Sequence, residues 1–293
     1  MGRVLRSDAF LAPAMKKPTR TPWWSWAAGA LAVAGAIGIG LYLARSGEEG
    51  VTRALPPAAP SVPNFAAAPI APPIQHPIEQ AAGAVAQANA VPALLPPLDE
   101  SDVAVASAFA EMFGAEGLMA LLNPQHVVQR IVATIDSLPR QKLALESLPV
   151  RTAQGSFATT VAGAQREIDE RNAARYAPYI AVAKAVDAKA LVAWYVRFYP
   201  LFQEAYRQLG YPDGYFNDRL VAVIDHLLQT PDINLPIALE QPNVLYEYAD
   251  PALESRSAGQ KLLMRSGAAN EAAIKAKLRE IRAALTEREP PGA

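Results

Sequence analysis

The uncharged run from Trp23 to Leu43 constrains this chain more than any other stretch. An α-helix of about 20 residues spans the ~30 Å hydrocarbon core of a bilayer. Trp23, Trp24 and Trp26 stand at one end and Tyr42 near the other, where amphipathic rings favour the headgroup zone. The tail before it, residues 1–22, carries Arg3, Arg6, Lys16, Lys17 and Arg20 against a single Asp8. Beyond the run Arg45, Glu48, Glu49 and Arg53 nearly cancel. Basic residues close to a span stay on the cytoplasmic side. The expectation is therefore a single-pass integral membrane protein with a cytoplasmic N-terminus, a transmembrane helix over 23–43 and the rest of the chain outside. A cleaved signal peptide has a shorter apolar middle, about 7–15 residues, ending in a small-x-small site. Tyr42 is bulky for that role, which favours a retained signal-anchor. Ala28, Ala32, Ala36 and Gly40 form a small-xxx-small ridge through which two spans could pair as a homodimer. A run this rich in Ala and Gly also produces such a ridge without selection for it.

Residues 46–98 have another character. Pro56, Pro57, Pro60, Pro63, Pro69, Pro72, Pro73, Pro77, Pro92, Pro96 and Pro97 interrupt a background of alanine. Proline fixes φ and removes a donor, so this stretch reads as a disordered, semi-rigid spacer. Only Ile78–Ala90, free of proline, is suited to a short helix. Wholly extended, some 50 residues at ~3.1 Å each would reach roughly 150 Å.

From Asp99 to the end there are 20 basic and 24 acidic residues, so the remaining domain, about 99–289, is mildly acidic. That argues against nucleic acid as a partner, because phosphate binding needs a basic face. Cysteine is absent, which excludes disulfides, thiol nucleophiles and Cys metal sites.

The domain reads as mainly α, an all-α multi-helix fold with one small β-hairpin or a pair of short extended segments. Val103–Phe109 opens it, with Gly114 as a stop. Asn123-Pro124 has the form of an N-cap followed by proline at the first helical position, and Val127, Val128, Ile131, Val132 and Ile135 follow at helical spacing until Pro139. Gln141–Gly163 is less regular. Arg166–Val186 reads as a helix broken near Pro178. Asp187 caps the longest periodic segment, whose stripe of Leu191, Trp194, Tyr195, Phe198, Phe202, Ala205, Tyr206 and Leu209 is broad and apolar. Tyr215–Gln229 is a further helix. Ile237–Glu240 and Val244–Tyr248 read as extended, and Pro251–Arg265 and Ala268–Leu285 as closing helices.

Several of these stretches are similar to a known bacterial family. Tyr199-Pro200-Leu201-Phe202-Gln203-Glu204-Ala205-Tyr206, then Leu209-Gly210-Tyr211-Pro212-Asp213-Gly214-Tyr215-Phe216-Asn217-Asp218-Arg219-Leu220, resemble proteins grouped as domain of unknown function 3014. So do Asp225-His226-Leu227-Leu228, Ala258-Gly259-Gln260-Lys261-Leu262-Leu263 and Leu95-Pro96-Pro97-Leu98-Asp99-Glu100-Ser101-Asp102. The resemblance runs from about Leu95 to Leu285. It implies an anchor, a proline-rich spacer and a helical domain, and it brings no activity and no catalytic residues.

No catalytic motif stands out. Gly155-Ser156 lacks the second glycine of a nucleophile elbow, Gly259-Gln260-Lys261 is a lone Gly-x-Lys, and no phosphate loop is present. His76, His126 and His226 are scattered, so neither a metal nor a cofactor is expected. Asp225 and His226, neighbours on a helix, point about 100° apart, and His226 reads as structural. The best binding candidates are Tyr211, Tyr215, Asn217, Asp218 and Arg219 at a helix joint, with Arg175 and Tyr179 upstream and Glu247 downstream. Aromatic faces beside Arg and Asn suit a glycan or a peptide. In the competing reading the tyrosines are core, and Asn217-Asp218-Arg219 cap the next helix and pair with Glu247 or Asp250. Lys275, Lys277, Arg279, Glu280 and Arg282 read as a solvated helix face. The expected function is a non-catalytic interaction or scaffold module of the bacterial cell envelope. It would be anchored in the inner membrane with its domain in the periplasm, binding a protein or wall polymer. An envelope hydrolase using paired carboxylates, Glu247 and Asp250 for example, is the alternative.

Overall fold

The computed structural model describes residues 73–85, 94–113, 121–143, 145–233 and 236–286. The basic tail and the apolar run 23–43 lie outside the described residues. Among those described, no helix is long and apolar enough to cross a membrane.

The chain enters the fold earlier than its proline content suggests. Residues 73–85 lie inside the stretch expected to be a disordered spacer, yet they are structured, and α1 (Ile78–Val85) forms where proline is missing. Ile78 and Ala81 are buried, and Leu98, in a 3-10 turn over Leu98–Glu100, is buried as well. The folded part therefore begins before Asp99.

Helices α2 (Asp102–Phe113) and α3 (Val127–Ser137) follow. The periodic apolar residues Val127, Val128, Ile131, Val132 and Ile135 are all buried, which is what a stripe at that spacing requires. The N-terminus of α3 is capped differently from the expectation. Asn123 does not cap it, because its amide donates to Leu148 O at 2.9 Å. The carboxylate of Asp102, at the head of α2, instead accepts from His126 N and Val127 N, both at 2.7 Å. His126 is held at a φ of 53°, the left-handed region, just where that carboxylate is met.

A hairpin, β1 (Thr159–Ala162) and β2 (Gln165–Ile168), turns at Gly163, whose φ is 63°. Arg166–Ile168 is thus strand, not the start of a helix. The helical part begins at α4 (Asn172–Arg175) and resumes as α5 (Ala177–Ala185) with Pro178 in its first turn. α6 (Ala188–Gln208) is capped by Asp187, which accepts from Ala190 N at 2.7 Å, and it runs on through the exposed Pro200. α7 (Phe216–Leu228) comes next. β3 (Ala238–Glu240) and β4 (Glu247–Tyr248) then join the hairpin in one antiparallel sheet of order β1-β2-β3-β4, larger than the hairpin or separate pair expected. Ile168, Ile237, Leu239, Tyr248 and Met264 bury its inner side.

α8 (Pro251–Glu254), α9 (Ala258–Arg265) and α10 (Ala268–Thr286) close the chain. The stretch read as one helix over Pro251–Arg265 is two, because Ser257 starts a new cap by accepting from Gln260 N. α6 is the central helix, packed by α1, α2, α3, α7 and α10. Gly259 lets α9 seat on the end of α3. A Cβ there would lie 2.7 Å from Leu227 Cδ2 and 3.1 Å from Leu138 O.

Candidate functional site

α3 and α7 meet around one buried carboxylate. Asp136 is the only acid within the buried residues of α3. Arg219, in the first turn of α7, donates from Nε to its Oδ1 at 2.9 Å and from Nη2 to its main-chain oxygen at 2.7 Å. Arg140, one turn further along the chain, pairs with Oδ2. The Tyr211 hydroxyl donates to the same Oδ2 at 3.2 Å and accepts from Arg140 Nη2 at 2.9 Å. Tyr211 is stacked on Tyr206 at a centroid distance of 4.6 Å. Asp136 beside it, outweighing a smaller opposing effect of burial, raises the Arg140 pKa. The carboxylate is therefore saturated. It holds two helices and a turn together.

The same helix start grips the chain entering from the spacer. Asp218 accepts from Gln75 N at 2.9 Å and His76 N at 2.6 Å, one on each oxygen. Asn217, fully buried, donates to His76 O at 2.8 Å, and the Tyr215 hydroxyl accepts from Ile78 N at 2.8 Å. Every contact in this clasp goes to main-chain atoms of residues 75–78, and Pro77 supplies the one position with no N–H to satisfy. An acid in the first turn also suits the positive end of the helix. Asn217 and Asp218 thus do not cap α7. The N–H of Phe216 goes to Gln203 Oε1 at 2.9 Å, and that same oxygen accepts from Tyr199 OH. Burial pushes the Tyr199 phenol well above its ordinary range, and Tyr195 behind it likewise.

The structure brings together Tyr211, Tyr215, Asn217, Asp218 and Arg219, as the helix joint implied. Arg219 pairs with Asp136, not with Glu247 or Asp250. The other candidates serve elsewhere. Arg175 donates to Gly155 O at 2.8 Å and Tyr179 to Arg151 O at 3.1 Å, so both hold the loop before β1. Glu247 sits in β4 opposite Glu240. Asp250 caps α8 by accepting from Ala252 N at 2.8 Å.

Asp136, Arg140 and Gln203 were not among the expected site residues. For Asp136 one signal was available, a lone acid four residues before an arginine at the end of an apolar stripe. His226 meets Ser257 Oγ at 2.8 Å, and its pKa is lowered, chiefly by burial and then by Arg219 and Arg256. Asp225 turns away to pair with Arg282. Lys275, expected on a solvated face, is buried. It reaches Glu271, Asp232 and Thr230 O, each at 2.6 Å. Among the described residues no group of three or more His, Asp or Glu is arranged to hold a metal ion.

A family model described as Protein of unknown function (DUF3014) matches residues 127–282, from the first residue of α3 to Arg282 in α10. No curated protein and no solved structure matches the chain significantly.

Proposed function

The chain belongs to the DUF3014 family, and from that premise we propose that it is a membrane-anchored scaffold of the bacterial envelope. In this reading residues 23–43 cross the inner membrane once, residues 46–72 space the domain from it, and the helical domain stands in the periplasm. There it binds another envelope protein without catalysing a reaction.

The observation that carries the reading is the clasp on residues 75–78. Four hydrogen bonds from Tyr215, Asn217 and Asp218 fasten the incoming chain to α7, so the spacer leaves from a defined point on the domain. A tether raises the effective concentration of whatever the domain meets along the membrane, and a fixed exit point narrows the directions it can present. The polar groups that first suggested a ligand site are spent on this internal work. Asp136 and Asp218 have both oxygens engaged, and Asp250 spends one oxygen on capping α8, which gives no support to paired-carboxylate hydrolysis.

The partner would then meet an outer surface. Leu209 is 42% exposed at the end of α6 and lines an open cleft of about 360 Å³ with His126, Arg130, Glu146 and Gln208. The test is photo-crosslinking in living cells, with the probe placed at Leu209 and at the exposed Val244. Probes at Tyr211 or Tyr215 would break internal bonds. A discrete adduct with a second protein is expected from Leu209. No protein adduct from either position would overturn the protein-scaffold reading, leaving a wall polymer as the thing bound.

A further inference from the structure

The four-stranded sheet has two edges, and only one of them is closed. In an antiparallel ladder, residue pairs that exchange main-chain hydrogen bonds alternate with pairs that do not. Ala249 N donates to Ala238 O, so at the next pair, Leu239 and Tyr248, the Tyr248 N–H faces away from β3. Glu254 of α8 covers that edge, its carboxylate accepting from Tyr248 N at 2.9 Å. At the other edge, Asp169 N donates to Ala158 O, while Ile168 N turns the other way to Ile237 O. By the same alternation Thr160 and Ala162 bond to β2, and the N–H and C=O groups of Thr159 and Val161 face outward. Among the described residues nothing pairs with those groups. β1 reads Thr-Thr-Val-Ala in unbroken register, without the charge, proline or bulge that commonly guards an edge.

The two faces of the sheet at this edge differ in chemistry. Residues in register share a face, so Val161 stands in one row with Arg166, Leu239 and Tyr248. Leu239 and Tyr248 are buried in that row, whereas Val161, at its open end, is 65% exposed. On the opposite face the row runs Thr160, Glu167, Ala238. Glu167 borders an open cleft of about 420 Å³, with Thr160, Glu170 and Pro236 also in its wall. Asp169 in the same wall is paired with Arg171 at 2.6 Å. Glu167 and Glu170 have no ion-pair partner among the described residues. A strand added beyond β1 would lie two strand spacings, about 10 Å, from β2. The long stem of a lysine or arginine there could cross the short Thr160 and bring its charge to Glu167.

We propose that the β1 edge takes up an extended segment of another protein as a fifth strand, in which apolar residues beside Val161 alternate with basic residues facing Glu167. Main-chain bonds to Thr159 and Val161 supply the affinity, and the alternation supplies the specificity. A second copy of this chain is the poorer occupant. Pairing its β1 so that the outward groups meet sets Thr160 opposite Thr160 and brings no cation to Glu167. The site is separate from the clasp and from the Leu209 cleft, and it does not depend on the membrane-anchored reading.

The probe is a fluorescein-labelled peptide, Thr-Val-Lys-Val-Lys-Val-Thr, whose anisotropy is followed as the full-length chain in uncharged lipid nanodiscs is added. Saturable binding is expected. The peptide with both lysines replaced by glutamate should bind at least about tenfold more weakly. So should the lysine peptide with N-methylated valines, which cannot donate to the edge. In the chain, Glu167→Gln should weaken the lysine peptide severalfold and leave the sheet intact. Val161→Pro removes an outward N–H and no β1–β2 bond, and should weaken it about tenfold. Absent or unsaturable binding would overturn the proposal, as would equal binding of the lysine and glutamate peptides. Undiminished binding to Glu167→Gln would do so too, and that variant serves if Val161→Pro does not fold. A natural chain that is already dimeric, and that Val161→Pro makes monomeric, would put a second copy on the edge and overturn it as well.

Discussion

Asp136 and Lys275 sit at opposite ends of α7's reach, and each is a buried charge that ties distant parts of the chain. Asp136 draws in Arg219 from 83 residues away, and Lys275 draws in Asp232 from 43. The centres have opposite signs, and so do their surroundings. Around Asp136 are two guanidiniums, 29% and 56% exposed. Around Lys275 are one carboxylate as buried as the lysine, Glu271, and one almost fully in solvent, Asp232 at 93%. An arginine cannot give up its charge in a protein, whereas a glutamate can. Glu271 already leans that way, since burial raises its pKa against the opposing pull of Lys275. The two centres should therefore fail differently. One has no means of neutralising what it leaves behind, and the other has.

The largest effect is expected from Asp136→Ala, which leaves Arg219 facing a buried void. Breaking a buried ion pair from one side costs about 3–5 kcal/mol, and urea unfolding of the full chain should show a loss in that range. Lys275→Ala should cost less, about 2–3 kcal/mol, because Glu271 can take up a proton once its partner is gone. A loss equal to that of Asp136→Ala would remove the distinction drawn between the two centres.

A weaker probe lies on α7 itself. Burial holds the His226 pKa below its ordinary 6.5, so below that pH the unfolded chain binds a proton that the folded one does not. Stability should fall as pH drops from about 7 to about 5, and His226→Gln should flatten that limb of the thermal midpoint against pH. An unchanged limb would mean that burial does not hold the histidine neutral in the folded chain. The smallest effect should come from Asp232→Ala, an exposed partner screened by solvent. Its midpoint should stay close to that of the natural chain at moderate salt.

The contrast also explains what could be read from the residues alone. Periodicity announces α3, α6 and α7, because burial of a stripe is a local demand on spacing. Asp187 announces its own cap, since donor and acceptor are three residues apart. The helix joint at Tyr211–Arg219 was legible because its residue types are unusual together. Its centre, Asp136, is not, and Lys275 reads as a surface residue because its neighbours are charged. In both cases the deciding partner is far along the chain and leaves no local trace. The cap on α3 by Asp102 and the strand character of Arg166–Ile168 escaped for the same reason, each being settled by a partner beyond the local window. Proline content was misleading over 73–77, where the bonds that order the chain come from Tyr215, Asn217 and Asp218, whereas the short helix expected within the proline-free Ile78–Ala90 is present as α1.

The clasp has a mechanical consequence. Any pull that travels along the chain toward the domain reaches Gln75 and His76 first and is handed to Asp218 and Asn217. From there it enters α7, the helix whose first turn is bolted to Asp136 by Arg219 and whose far end leads into Thr230 and Asp232, held by Lys275. The load is thus passed to the two buried charges that tie distant parts of the chain. While the clasp holds, α1 lies downstream of it and is shielded from that tension.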